Sequence, residues 1–253
     1  MYVVTGGARV GRITWEAGRV STQASVAIRK PQTGARLRDS YLESISVLTL
    51  GIIGVRGSSL VIGPVELLRF GRPTVTRNSV DWPILRGLLA GAPGGHWRIH
   101  STAGHVEAIL KGYLPRLPRP IYMVSHLHVH QLFTRLYLLR LRGREPAPGT
   151  VADQPDRVHA ATIDAAFCLM LAGLTGRRRW RITLLIAAAY HAVCWSTSGK
   201  TLGGLVMRQR VVAVDGSRLT PTQSMLRFAL LPLSWFARRP VQDEIAQTTV
   251  IVN

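Results

Sequence analysis

The stretch DRVHAATIDAAFCLMLAGLT, residues 156–175, constrains this chain more than any other. From Val158 onward it carries one formal charge, Asp164, and about 20 apolar residues suffice to span the roughly 30 Å of a hydrocarbon layer. A first transmembrane helix is therefore expected here. An acid inside such a segment costs about 2.5–3.5 kcal/mol on insertion scales, so Asp164 is expected to face protein or water, not lipid. The competing reading is a buried helix of a soluble core with Asp164 capped or solvated.

Two further apolar runs follow. Arg177, Arg178, Arg179, Trp180 and Arg181 precede ITLLIAAAYHAVCW, which extends to about Thr197, and MLRFALLPLSWFA occupies residues 225–237. Trp180 and Trp195 sit where an interfacial aromatic belt would place them. The expectation for residues 155–253 is an all-α membrane module of three helices.

The half before it reads differently. Residues 1–40 suggest one or two strands and a polar loop, and SVLTLGIIGVR with LVIGPVELLRF, residues 46–56 and 60–70, suggests a hairpin of two buried strands. WRIHS and HVEAILKGY alternate around Thr102, Ala103 and Gly104, which puts Trp97, Ile99, Val106 and Ala108 on one face of a second hairpin. Three prolines in LPRLPRP break the sheet, and residues 121–143 run without Gly or Pro to Gly143, as a long amphipathic helix would. Residues 1–150 are thus expected to form an α+β domain, an antiparallel sheet plus a long helix, joined by EPAPGTVADQP to the module. The order of elements across residues 1–145 loosely resembles the polyketide-cyclase or START-like superfamily, which would imply a ligand cavity between sheet and helix. A PH-like or other α+β fold competes.

Within the long helix, His126, His128 and His130 form an HxHxH string. It would be metal-like on a strand, but on a helix only His126 and His130 share a face, so no metal site is expected. Arg135, Arg140, Arg142 and Arg144 thicken the basic end and are candidate contacts for anionic lipid headgroups, against the alternative of a solvated face.

The formal charge is +19, divided as +12 before residue 155 and +7 after it, and all but three basic residues are Arg. Nucleic acid, anionic lipid and acidic proteins all answer to such a field. Nucleic acid is disfavoured because the basic residues are dispersed and not interleaved with aromatics. Cys168 and Cys194 lack CxxC spacing and read as small core residues. The first 20 residues have no continuous apolar run of the signal-peptide kind, so the N-terminal domain is expected in the cytoplasm. No cofactor is implied. Neither a catalytic nucleophile nor a Walker-type GxxxxGK[ST] is found, and an enzyme is not expected.

The second half resembles the RDD family of small bacterial membrane proteins. Arg157 and Asp164 match that family's arginine and first aspartate, SGKTLGGLVMRQRVVAVDGSRLT resembles its TxGK, GLRVV and DG stretch, Arg227 matches the arginine opening its third helix, and QDEIAQTTVIV resembles its ending with Asp243 as second aspartate. RQRVV in place of GLRVV leaves the tight glycine turn before Arg210 in question. The resemblance implies an inner-membrane, multi-pass protein, with transport the usual suggestion and other membrane subunits or a homo-oligomer as partners beside the bilayer. The embedded charges Arg157, Asp164, Arg227 and Asp243 are expected to pair within or at the edge of the bundle, either to move protons or cations or simply to neutralise one another and set helix register, and the family's motif loop holds Gly199, Lys200, Gly203, Arg210, Asp215 and Gly216. The alternative function is a membrane-anchored module that binds lipid or another small ligand. With the N-terminal domain inside, the RRRWR loop falls outside, against the positive-inside tendency. A short hairpin of helices that does not fully cross would relieve that conflict.

Overall fold

Ala17 and Gly18, both at positive φ (47° and 76°), turn β1 (Arg9–Glu16) into β2 (Arg19–Ala27) and match the two-residue connection that right-twisted strands prefer. The computed structural model describes residues 9–174 and 180–252 and divides the chain into two units, Met1–Gly143 and Arg144–Asn253.

In the first unit β2 lies beside β10 (His105–Pro115), followed by β9 (Gly95–Ser101), β7 (Ser79–Arg86), β5 (Val65–Phe70), β4 (Ser59–Ile62) and β3 (Gly54–Arg56). β6 (Thr74–Val75) pairs with β7 and β8 (Ala90–Ala92) with β10, and all the pairings are antiparallel. The alternation of β9 and β10 is as expected. Trp97, Ile99, Val106 and Ala108 are all at most 2 % exposed, with Ala108 opposite Ile99.

Helix α1 (Gly34–Leu48) starts at Thr33, whose hydroxyl accepts from the Arg36 N–H, and buries Leu37, Tyr41, Ile45 and Leu48 at helical spacing. This corrects the two-strand hairpin expected over 46–56 and 60–70. Ser46 and Val47 belong to this helix, whose last turn is held by Leu48, buried together with Ile45 at i−3 and Ser44 at i−4. Only residues 54–56 pair as a strand, and Gly63 with Pro64 divides the second run into β4 and β5. The long helix likewise begins earlier and is broken. α2 (Arg119–Val124) is closed at Ser125, whose hydroxyl donates to the Ile121 carbonyl, and α3 (His126–Arg142) continues to Gly143. Tyr41 centres the core, with ring centroids 5.2 Å from Trp82 and 5.3 Å from Tyr137.

The second unit opens with residues from the expected linker already in place. The Ala152 N–H donates to the Val250 carbonyl (2.9 Å) and the Val252 N–H to the Thr150 carbonyl (2.9 Å). Helix α4 (Gln154–Leu174) buries Ala160, Asp164, Cys168 and Ala172, a stripe of period four made of small side chains. α5 (Trp180–Thr197) and α6 (Leu202–Val206) follow, and β11 (Gln209–Ala213) pairs with β12 (Thr248–Val252) as an antiparallel ribbon that the expected all-helical module did not include. Ala152, Trp195, Val211, Leu219 and Val250 form an apolar cluster, with Phe228 and Leu231 packed on it.

The third expected membrane helix is interrupted. α7 (Pro221–Ala229) stops at Leu230, and α8 (Leu231–Ala237), with a proline in its first turn, begins a new helix; α9 (Val241–Ile245) is shorter still. At 1.5 Å per residue, the nine residues of α7 cover about 14 Å, half of a hydrocarbon layer. Among the described residues one helix, α4, is long and apolar enough to cross a membrane, and 22 % of its apolar window is buried. A core helix of a soluble protein would be mostly covered, whereas Leu169, Met170 and Leu174 of α4 are 62 %, 56 % and 78 % exposed. Arg177, Arg178 and Arg179 lie outside the described residues.

Candidate functional site

Asp243 is the centre of the second unit's polar chemistry. α9 carries it in its first turn with its side chain 4 % exposed, and its two oxygens serve two different guanidiniums: Arg157 Nη2 donates to Oδ2 and Arg227 Nη1 to Oδ1. Thr248 at the start of β12 donates its hydroxyl to Oδ1 at 2.8 Å and also accepts from Arg227 Nη1. Arg144 closes the group from the backbone side, with Nη2 to the Asp243 carbonyl (2.7 Å) and Nη1 to the Thr248 carbonyl (3.2 Å).

Local sequence places each member. Thr220, Pro221 and Gln223 make a capping box that starts α7, and the turn after it brings Gln223, Ser224 and Arg227 to the buried face. The Gln223 amide donates to the Ala246 carbonyl (2.7 Å) and so ties α7 to the end of α9. The Arg227 guanidinium lies 5.1 Å from the centroid of the Trp195 ring, which shields it on one face. Burial alone would raise the Asp243 carboxyl, but Arg227 and Arg157, with the Thr248 hydroxyl, outweigh it and hold the group below the usual carboxylate range. One carboxylate therefore serves two buried or half-buried cations.

Asp164 is not part of this group. It is 5 % exposed on α4, and its Oδ1 accepts from the Tyr190 hydroxyl (2.8 Å) and the Gly203 N–H (2.8 Å), while the Tyr190 oxygen accepts from the Leu202 N–H (2.6 Å). Its function in the fold is to hold the SGKTLGG turn and α6 against α4 and α5. The approach is so close that a Cβ on Gly203 would lie 2.0 Å from the Ala160 carbonyl oxygen. His191 stands between the two groups. Its ring is 4.7 Å from Trp195 and 5.0 Å from Tyr190, and it feels the charges of both Asp164 and Arg227.

The remaining motif residues shape turns. Gly199, at φ +76°, would clash at 2.6 Å with the Val211 carbonyl if it carried a Cβ, and its own carbonyl accepts from the Val211 N–H. The Lys200 N–H donates to the Ser198 hydroxyl (3.1 Å). Arg210 is exposed on β11, and the residue in left-handed conformation before it is Arg208 (φ 50°), so the turn questioned above is made without glycine. Asp215 accepts from the Ser217 N–H (3.0 Å) and hydroxyl (2.6 Å), and the Gly216 N–H donates to the Ala213 carbonyl (2.8 Å), which makes the DG pair a tight reversal between β11 and α7.

The four arginines offered as lipid contacts do not act as a set. Arg135 is 5 % exposed, because the second half of α3 is covered on every side from Thr134 to Leu139. Arg140 pairs with Glu43 (2.9 Å), Arg142 donates to the Gly143 carbonyl (2.9 Å), and Arg144 belongs to the Asp243 group. Sequence reasoning missed Thr248, Tyr190 and His191, and it gave Arg144 to lipid headgroups instead of to the Asp243 group. A tyrosine and a histidine inside an otherwise apolar run were the available signal.

Residues 172–250 match the RDD family model.

The matched range holds Arg227, Asp243 and the whole motif loop, while Arg157 and Asp164 precede it. RDD domains are membrane domains, which agrees with the apolar, largely uncovered α4. Among curated proteins and solved structures nothing matches, and the START-like resemblance of residues 1–145 is not confirmed.

Proposed function

We propose that the RDD module is the working part of a transporter component, or of an accessory subunit of a larger membrane complex, in a bacterial inner membrane, with the first unit in the cytoplasm and α4 crossing. It acts without a covalent step on a substrate. The observation that carries this reading is an ionisable side chain, Asp164, enclosed halfway along an apolar helix by Tyr190 and Gly203. Acids at such depth are rare and mark ion or proton pathways. His191 supplies a second exchangeable group toward Arg227, and the exposed apolar residues Leu184, Leu185, Trp235 and Phe236 offer a surface for lipid or for partner helices.

The test is flux of protons against Na⁺ or K⁺ gradients in proteoliposomes of the full chain. Asp164→Asn is expected to abolish flux and Asp156→Asn, on the exposed start of α4, to leave it unchanged. Equal flux from both variants at equal reconstitution removes the function assigned to Asp164. If the native chain carries no flux and purifies in mild detergent with a stoichiometric protein partner, the accessory-subunit form of the reading stands. The lipid-binding alternative has little room. The space between sheet and α3 is about 50 Å³, against several hundred for a lipid-sized ligand.

A further inference from the structure

Composition offers residues 225–237 as a membrane span, but the chain packs the first half of that run and leaves the second bare. Leu230 is buried and Phe228 and Leu231 pack on the apolar cluster, whereas from Pro232 to Pro240 every residue except Ser234 is exposed. Trp235 and Phe236 on α8 are 83 % and 87 % exposed, and Leu233 of the same helix is 43 % exposed. At 1.5 Å per residue the seven residues of α8 cover about 10 Å, a third of a hydrocarbon layer, so this helix does not cross. It is nonetheless held in place. The Ser234 hydroxyl accepts from the Gln242 N–H (3.1 Å) and meets the Gln242 side-chain carbonyl. Gln242 adjoins Asp243, whose Oδ2 takes Arg157 in the first turn of α4. These contacts fix α8 at the level where α4 begins, the water edge of the one helix among the described residues that is long and apolar enough to cross.

The residues that follow select what covers the aromatics. Arg238 closes α8 in left-handed conformation (φ 49°), and Arg239 comes next, its side chain 66 % exposed with Glu244 at 3.9 Å as a loose partner. Residues 228–242 contain these two arginines and no acid. A tryptophan settles at the headgroup level, where its ring meets acyl chain and its N–H still meets water or phosphate. An arginine beside it forks onto phosphate oxygens. A partner helix within the bilayer would instead hold both guanidiniums in a low dielectric, which a headgroup layer does not.

We propose that α8 with Arg238 and Arg239 is an interfacial anchor: Leu233, Trp235 and Phe236 enter the boundary between headgroups and acyl chains on the side where α4 begins, and the two arginines take the phosphates of anionic phospholipid. Through Ser234 and Gln242 the anchor sets the height of α9, and so of Asp243, relative to the membrane. It rests on α4 crossing the bilayer and not on what the module carries.

The test places the full chain, labelled with fluorotryptophan, in nanodiscs of phosphatidylcholine and phosphatidylglycerol in equal parts and follows the fluorine resonance of Trp235, assigned through Trp235→Phe. Three paramagnetic probes are compared: a lipid nitroxide just below the headgroup, a lipid nitroxide at the end of the acyl chain, and a water-soluble nickel chelate. The expected result is strongest broadening by the shallow nitroxide, and more from its phosphatidylglycerol carrier than from its phosphatidylcholine carrier, by roughly fivefold for each arginine. Arg238→Gln together with Arg239→Gln is expected to level the two carriers while the order of the three probes stays the same. The proposal is overturned if the chelate broadens most, which puts the segment in water, if the chain-end nitroxide does, which makes it a deep segment, or if no probe does, which means that a second copy covers it. Equal action of the two carriers on the native chain, or a preference that survives in the double variant, overturns it as well. A chain that does not enter the discs defeats this proposal and the membrane reading together, whereas the other contrary results leave the crossing of α4 intact.

Discussion

Asp243 is one acid shared by two guanidiniums, so its loss differs from the loss of either partner. Asp243→Asn leaves Arg227 buried without a counter-charge and should cost about 3–5 kcal/mol, whereas Arg157→Gln, at a side chain 17 % exposed, should cost less, because the Arg227–Asp243 pair survives. Thermal melts in detergent would check the order, and equal shifts would show that the two arginines are not sharing. A gain is expected at Arg208, whose left-handed backbone penalises a side chain: Arg208→Gly should raise stability by up to about 1 kcal/mol, and a lower melting temperature would contradict the strain. At this scale the sequence was informative about which residues matter and less so about their partners. Arg157, Arg227 and Asp243 were readable from the family pattern and do meet. Asp164 was grouped with them because charge in an apolar segment seeks charge, yet it is satisfied by a tyrosine hydroxyl and a backbone N–H, groups that carry no charge to notice. Arg135 was misassigned because helical periodicity locates a buried stripe but does not tell that the second half of α3 is covered all round.

Helix α3 carries the clearest pH dependence. Burial depresses the His130 pKa to about 4, against about 6.5 in the unfolded chain, so folding favours the neutral ring. The unfolded state binds a proton first, and stability that is fully present above pH 6.5 is lost progressively as the pH falls toward 4. Thr22, Trp97 and His126 are the groups that face His130, and His126 shifts in the same direction. His130→Leu is therefore expected to flatten most of that acid limb in a denaturant titration followed by tryptophan fluorescence. An unchanged limb would place the titrating group elsewhere. Elements were legible where one signal dominated. Strict alternation gave the β9–β10 hairpin its inward face, but residues 46–48 were read as strand because β-branched residues cluster there, while Tyr41, Ile45 and Leu48 keep a helical period. The break of the third apolar run at Leu230 follows from Pro232, which was visible in the sequence but was overridden by the run's composition. The β11–β12 ribbon joins segments some 40 residues apart, and local patterning holds no information on such a pairing.

The whole chain is expected to remain in the pellet when membranes are extracted with alkaline carbonate, because α4 exposes Leu169, Met170 and Leu174 along a helix long enough to cross. Release into the supernatant would remove the membrane assignment together with the proposed transport. The shared acid also sets an order in time. Arg157 lies 86 residues ahead of Asp243 and Arg227 only 16 ahead. At about 5–20 residues per second, α4 leaves the ribosome on the order of four to seventeen seconds before its counter-charge exists. During that interval Arg157, in the first turn of α4, has no carboxylate of this group to meet. Two arginines, 70 residues apart, are then neutralised within moments of each other by a single late residue.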